Sequence, residues 1–200
     1  LVNRERLNQK ARTREALLAG ARALMERGQR VTVSAAATES GVSKATAYRY
    51  FSDPSVLAVE AGLDVKVRPV EEIVAGARTA RERAVRVSLY LFDMAIENEQ
   101  AFRLYLARYL DGWAKDRHRM TRGGRRMRMF ATALEEERPR LPPDRFDALV
   151  RALAVGTGTE AMIALYDVAQ ADPEVARETV ATMADAVLDR FLGPQPGGTD

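Results

Sequence analysis

The chain has 200 residues, 46% hydrophobic and 30% charged, with a net charge of +3 and no cysteine. That composition suits a folded chain with a sizeable core, and the missing cysteine excludes disulfides, thiolate zinc sites and cysteine nucleophiles. The one histidine, His118, sits in the charged run Lys115-Asp116-Arg117-His118-Arg119, which reads as solvated surface, so no enzyme chemistry, no cofactor and no metal site is expected.

No apolar run approaches the ~20 residues that cross a bilayer, and no apolar export segment follows the first residues. A cytoplasmic protein with no membrane partner is expected. The charge is unevenly placed. Residues 1–51 hold ten Lys/Arg against four Asp/Glu, a balance of +6, which leaves −3 on the rest. A basic quarter on an acidic body points to a polyanionic partner for that quarter, although a solvated basic segment has the same charge.

Helical periodicity dominates. Leu17, Leu18, Ala21, Leu24 and Met25 mark one face of a first helix, with Thr13 as its cap and Gly28 as its end. A short helix is expected from Val33 to Glu39 behind the N-cap Thr32, broken by Gly41. A third runs from Lys44 to Phe51 behind Ser43. Asp53-Pro54 opens a fourth, which runs to about Arg68 and stops before Pro69. Further helices are expected near residues 70–77, 80–97, 99–115 and 125–137. Pro139, Pro142 and Pro143 mark a loop, and two last helices cover about 144–170 and 173–192. The tail, 193–200, reads as disordered. No strand-like alternation is sustained, so the fold class is all-α.

The segment from Thr32 to Leu57 carries the functional signal. Val33, Ala36 and Ala37 offer a small apolar face on which two helices can cross closely. Val42 and Phe51 plug the same core. Lys44, Thr46, Tyr48, Arg49 and Tyr50 occupy the other face of the third helix, with donors and aromatics unsuited to a core. That face fits a DNA major groove. Lys44 suits guanine O6 and N7, and Thr46 suits a thymine methyl. Ser43, Tyr48 and Tyr50 suit phosphate oxygens, as does Thr32 at a helix N-terminus. A lone helix pair around a glycine is more often plain packing.

At these residues the sequence resembles the TetR family of bacterial transcriptional regulators. Thr32, Ala36-Ala37, Gly41-Val42-Ser43, Thr46, Tyr48-Arg49-Tyr50-Phe51 and Leu57 fall at that family's spacing, over roughly residues 10–60. The resemblance implies an N-terminal three-helix helix-turn-helix DNA-binding domain (1–53), a connecting helix (54–68), and a larger helical effector-binding and dimerisation domain (69–192). It implies base contacts from Lys44, Ala45, Thr46 and Arg49, and phosphate contacts from Thr32, Ser43, Tyr48 and Tyr50. The implied function is a sequence-specific regulator, a repressor released from a palindromic operator in duplex DNA by a small-molecule effector. Four positions depart from the pattern: Ser55 stands where an acidic residue is usual, and three more bear on the function. Ala36 and Ala47 stand where larger aliphatic residues are usual, and Pro54 stands where a phosphate-binding Lys is usual. They keep open an alternative, a ligand-binding dimeric scaffold with a degenerate DNA reader.

The last two helices, about 144–170 and 173–192, carry apolar and small residues that suit a four-helix interface in a homodimer. Phe102, Tyr105, Tyr109 and Trp113 recur at helical spacing. That stripe reads first as core, with Tyr105, Tyr109 and Trp113 as candidates for an effector pocket.

Overall fold

The computed structural model describes residues 2–64, 67–115 and 124–194, with side chains from residue 9 onward except at 63, 64 and 115. His118 and residues 195–200 of the tail lie outside the described residues. Among the described residues there are helices and connections and no strand. The α-helices are α1 (Val2–Glu26), α2 (Val33–Glu39), α3 (Lys44–Tyr50), α4 (Pro54–Asp64), α5 (Val70–Ile73), α6 (Ala80–Glu97), α7 (Glu99–Lys115), α8 (Arg125–Ala133), α9 (Pro143–Val155), α10 (Thr159–Ile163) and α11 (Pro173–Leu192). No single helix among the described residues is long and apolar enough to cross a membrane.

The helices group into two compact units. The first joins Leu1–Val67 with Gln100–Gly124, and the second joins Arg68–Glu99 with Arg125–Asp200. The expected division ran in sequence order. Instead, α4 and nearly all of α7 belong with the first three helices, and the chain passes between the units three times. Sequence order is a weak guide here because α7 buries its Tyr105 in the core of the first unit.

Within the first unit, α1 begins far ahead of the expected cap. Thr13 lies inside the helix, and its hydroxyl donates to the Gln9 carbonyl at 3.0 Å. No glycine or proline interrupts residues 2–19, so nothing stops the helix from extending toward the N-terminus. Its other end is as expected. Gly28 takes φ +66°, and the N–H groups of Gly28 and Gln29 close on the Met25 and Leu24 carbonyls, both at 2.9 Å, a glycine-terminated helix end. α4 opens with Asp53 Oδ1 accepting the Ser55 N–H at 2.7 Å. The described part ends at Asp64, and Val67–Pro69 is non-helical, short of the expected Arg68. Pro69 disfavours a helical residue before it, and the Arg68 N–H is committed to the Tyr90 hydroxyl at 2.8 Å.

The core of this unit collects Leu17, Leu18 and Ala21 of α1, Val33, Ala36 and Ala37 of α2, Ala47 and Phe51 of α3 and its end, Leu57 and Ala61 of α4, and Tyr105 of α7. Gly20 sets the α1–α2 spacing. A Cβ there would stand 2.7 Å from the Ala36 carbonyl oxygen and 3.3 Å from the Cβ atoms of Glu39 and Ser40.

The second unit departs from expectation in three places. The helix expected over 70–77 ends at Ile73, and Gly76 takes φ +77°. The helix expected over 125–137 stops at Ala133 and continues as a 3₁₀ stretch, Glu135–Arg140, that carries Pro139. The helix expected over 144–170 is broken: α9 ends at Val155, α10 starts at Thr159, and a π-turn, Ala164–Val168, follows, with a bend of 43° between the halves. The break is built rather than frayed. Gly158 takes φ +80° and ψ −151°, a conformation closed to side chains. Thr157 is fully buried and donates to the Ser88 carbonyl at 2.8 Å. Arg126 donates to the Thr157 carbonyl at 2.5 Å and pairs with Glu160 at 2.9 Å. Phe92, Phe130, Phe146, Leu149, Met162 and Leu188 fill this unit's core. α11 runs over its expected span, with Asp172 as N-cap and Ala176, Val180, Ala184 and Leu188 as its buried stripe.

Gly20→Ala is expected to lower stability by about 1–3 kcal/mol through overpacking, despite the gain of ~1 kcal/mol in helix propensity. Urea unfolding midpoints measure this. A midpoint equal to or above the native one would show that α1 and α2 stand further apart than described.

Candidate nucleic-acid interface

α2 and α3 are seven-residue helices joined by Ser40–Ser43. Each has the cap its sequence specifies. Thr32 Oγ1 accepts the Ala35 N–H at 3.1 Å, and Ser43 Oγ accepts the Thr46 N–H at 3.2 Å. Gly41, at φ +68°, lets the chain turn sharply enough for the Val42 N–H to reach the Ala37 carbonyl at 2.9 Å. The turn is thereby tied to α2, and α3 leaves it in one direction.

α3 has two faces of opposite character. Ala47 is fully buried and Phe51, its C-cap, is 2% exposed. Lys44, Ala45, Tyr48 and Arg49 all face solvent. These four fall at i, i+1, i+4 and i+5, which is one contiguous strip of a helix. Tyr48 is 48% exposed, an unusual position for an aromatic ring, and its hydroxyl lies 3.3 Å from Ser34 Oγ. That contact orients the ring without covering it.

The remaining candidates are placed less simply. Ser43 donates its hydroxyl proton to Thr46 Oγ1 at 2.9 Å while accepting the cap bond, so its phosphate-donor role requires that proton to turn away from Thr46. Thr32 is half-buried with its oxygen engaged as a cap acceptor, which leaves its proton to donate. Tyr50 is half-buried and packs against the core of the first unit. Pro54 is exposed at the first position of α4 and offers no N–H or charge there.

The electrostatics favour an anion. Between residues 27 and 52 the sole acidic residue is Glu39. Arg27 Nη2 binds its carboxylate at 2.7 Å, and this hydrogen bond holds the Glu39 carboxyl below its ordinary pKa. Lys44 and Arg49 therefore act on an adjacent surface whose one negative charge is already balanced.

The three pocket candidates on α7 do not share one environment. Tyr105 is 7% exposed, and its hydroxyl donates to Glu60 Oε2 at 3.1 Å. Tyr109 is half-buried, and Trp113 is 48% exposed. In the second unit, an aromatic that sequence reasoning passed over has the free polar tip. The Tyr166 hydroxyl is buried without a hydrogen-bond partner among the described residues, and its ring meets Phe92 edge-on at 6.4 Å. Burial pushes its pKa up, and the charges of Glu99, Asp93 and Asp172 push it further. A glycine pair around Thr157 was the available signal for the nearby break. Nothing local marked Tyr166. Arg14 and Glu60, 46 residues apart, were equally silent in sequence.

Compared with known protein families, with curated proteins and with solved structures, the chain finds no match.

Proposed function

We propose that the chain is a DNA-binding transcriptional regulator of the TetR type, in which α2 and α3 form a helix-turn-helix and α3 enters the major groove. The observation that carries this reading is the α3 surface: Lys44, Ala45, Tyr48 and Arg49 exposed on one strip, on a helix anchored from behind by Ala47 and Phe51. Lys44 and Arg49 supply donors for guanine edges and phosphates, Ala45 and Thr46 supply apolar contact to thymine methyl groups, and Tyr48 and Tyr50 donate to the backbone. Thr32 and Ser43 stand at helix N-termini, where oriented N–H groups favour a phosphate.

The working form is a homodimer on a palindromic operator, with the two α3 helices roughly 34–36 Å apart, one turn of B-DNA. Support for the dimer comes from the second unit. Val155 of α9 is 76% exposed, and Val175 and Met183 of α11 are nearly half exposed; large apolar side chains left in water on these two helices suit a second copy. The second unit is also the effector-binding part, with Tyr166 in place of Tyr105 as the aromatic whose polar tip awaits a partner. An effector that favours a different α3 spacing weakens DNA binding, and DNA weakens effector binding to the same degree. Repression follows when the operator overlaps a promoter.

The first test is selection from a pool of randomised duplex DNA, with a Lys44→Ala/Tyr48→Ala double variant run alongside. The native chain is expected to enrich a palindrome and the variant none. Enrichment of no motif by either protein, at low and moderate salt, would favour the dimeric scaffold with a degenerate reader. With the operator in hand, Pro54→Lys is expected to steepen the dependence of log affinity on log salt by about 0.9 per half-site, one phosphate contact each; equal slopes would remove Pro54 from the DNA surface. Sedimentation at micromolar concentration is expected to show a dimer, which Met183→Arg converts to monomer. A native monomer would refute the dimeric reading.

A further inference from the structure

The first unit holds a buried charged network that the DNA contacts proposed above do not use. Arg14 of α1 and Glu60 of α4 are each 8% exposed. Arg14 forks onto the carboxylate, Nε to Oε1 at 2.9 Å and Nη2 to Oε2 at 2.5 Å. Tyr105 of α7 donates its hydroxyl to the same Oε2 at 3.1 Å. The Arg14 guanidinium lies over the Phe51 ring, 4.4 Å from its centroid. Phe51 is the C-cap of α3, and its N–H closes the helix on the Ala47 carbonyl at 2.9 Å.

A buried ion pair adds little net stability over an apolar replacement of the same shape. What a bidentate Arg–carboxylate pair supplies is geometry, because two parallel hydrogen bonds define both separation and orientation. Here one carboxylate and one guanidinium bring together four helices. The fork joins α1 to α4, the phenol joins α7 to the same carboxylate, and the far side of the guanidinium holds the end of α3. Burial alone would make Arg14 easier to deprotonate, but Glu60 and Tyr105 together more than reverse that, so the cation persists. α7 follows α6 of the second unit with only Asn98 between them. The helix that carries Tyr105 is thus a covalent continuation of the second unit.

We infer that Tyr105 is a positioning residue for the α3 surface, passing the seat of α7 to the recognition helix through Glu60, Arg14 and Phe51. On this view α7, and not α4 alone, sets where Lys44 and Arg49 stand. The inference rests on the reading of α3 as the DNA-contacting helix, but the coupling itself is measurable without DNA.

The test is amide hydrogen exchange on native chain, Tyr105→Phe and Arg14→Lys, read over residues 44–51, 100–114 and 33–39. Tyr105→Phe keeps the ring in the core and removes one hydroxyl; Arg14→Lys keeps the charge and loses the fork and its hold on Phe51. Loss of a hydrogen bond to a buried charge is expected to speed exchange about ten-fold in residues 100–114 and in 44–51 for Tyr105→Phe. Arg14→Lys should do the same in 44–51, while α2, which supplies neither the fork, nor the phenol's hydrogen bond, nor the ring under the guanidinium, keeps its native rate. On the operator, Tyr105→Phe is expected to lower affinity about ten-fold with base preference unchanged. Faster exchange confined to α7, or raised equally in α2, would overturn the inference, since the first denies coupling and the second is general loosening. If the native chain selects no DNA motif, the DNA reading fails, and the exchange pattern alone decides whether Tyr105 holds α3.

Discussion

A Cβ on Gly20 would stand 2.7 Å from the Ala36 carbonyl, so α1 and α2 meet there with no side chain between them. The rest of the first unit depends on that approach. It brings Ala36 and Ala37 into one core with Leu17 and Ala21, leaves room for Ala47 to close that core from α3, and so turns the opposite strip of α3 outward. Larger side chains at 36 or 47 would need a wider crossing at Gly20. The small residues are thus answered by one another, and a tight core is reached with little volume.

The outward strip would be of little use if α3 were free to tilt. Its start is held by the Ser43 cap and by the Val42 N–H on Ala37. Its end is held by Phe51, enclosed in the core and covered by the Arg14 guanidinium. A seven-residue helix has almost no stability of its own, so these end contacts and the buried Ala47 supply its order. The same short length leaves its exposed positions unencumbered. Charge follows the same economy, since Arg27 satisfies Glu39 and leaves Lys44 and Arg49 unopposed.

In the second unit, order is concentrated at a break. Thr157 and Gly158 interrupt what would be one long helix, and the freed Thr157 carbonyl is taken up by Arg126 while the Thr157 hydroxyl reaches Ser88. The π-turn that follows carries Tyr166, whose buried hydroxyl has no hydrogen-bond partner among the described residues.

Much of this was legible from residue order alone, because it depends on local chemistry. The all-helical class, the spans of α2, α6, α7 and α11, the Thr32, Ser43 and Asp53 turns, and the glycine ends at 28 and 41 all follow from periodicity and capping within a few residues. Of the strip on α3, Lys44, Tyr48 and Arg49 were legible, since one turn of helix relates them, whereas Thr46 and Tyr50, read onto the same face, are half-buried and Ala45 takes their place in the exposed strip. Thr13 misled because a good capping residue is also tolerated inside a helix when no breaker stands before it. The 144–170 span misled because apolar periodicity continues through Gly156–Gly158, and only Thr157, Ser88 and Arg126 together stabilise the interruption. Tyr105 looked like Tyr109 and Trp113 because spacing cannot tell which side of α7 meets another element. Sequence determined the helical class, the spans of α2, α6, α7 and α11 and the exposed Lys44, Tyr48 and Arg49, since these need neighbours no more than five residues away. The tertiary structure alone decided that α7 joins α1–α4, and that Arg14, Glu60 and Tyr105 meet, because those partners lie about 45 residues or more apart along the chain and are brought together by burial, not by pattern.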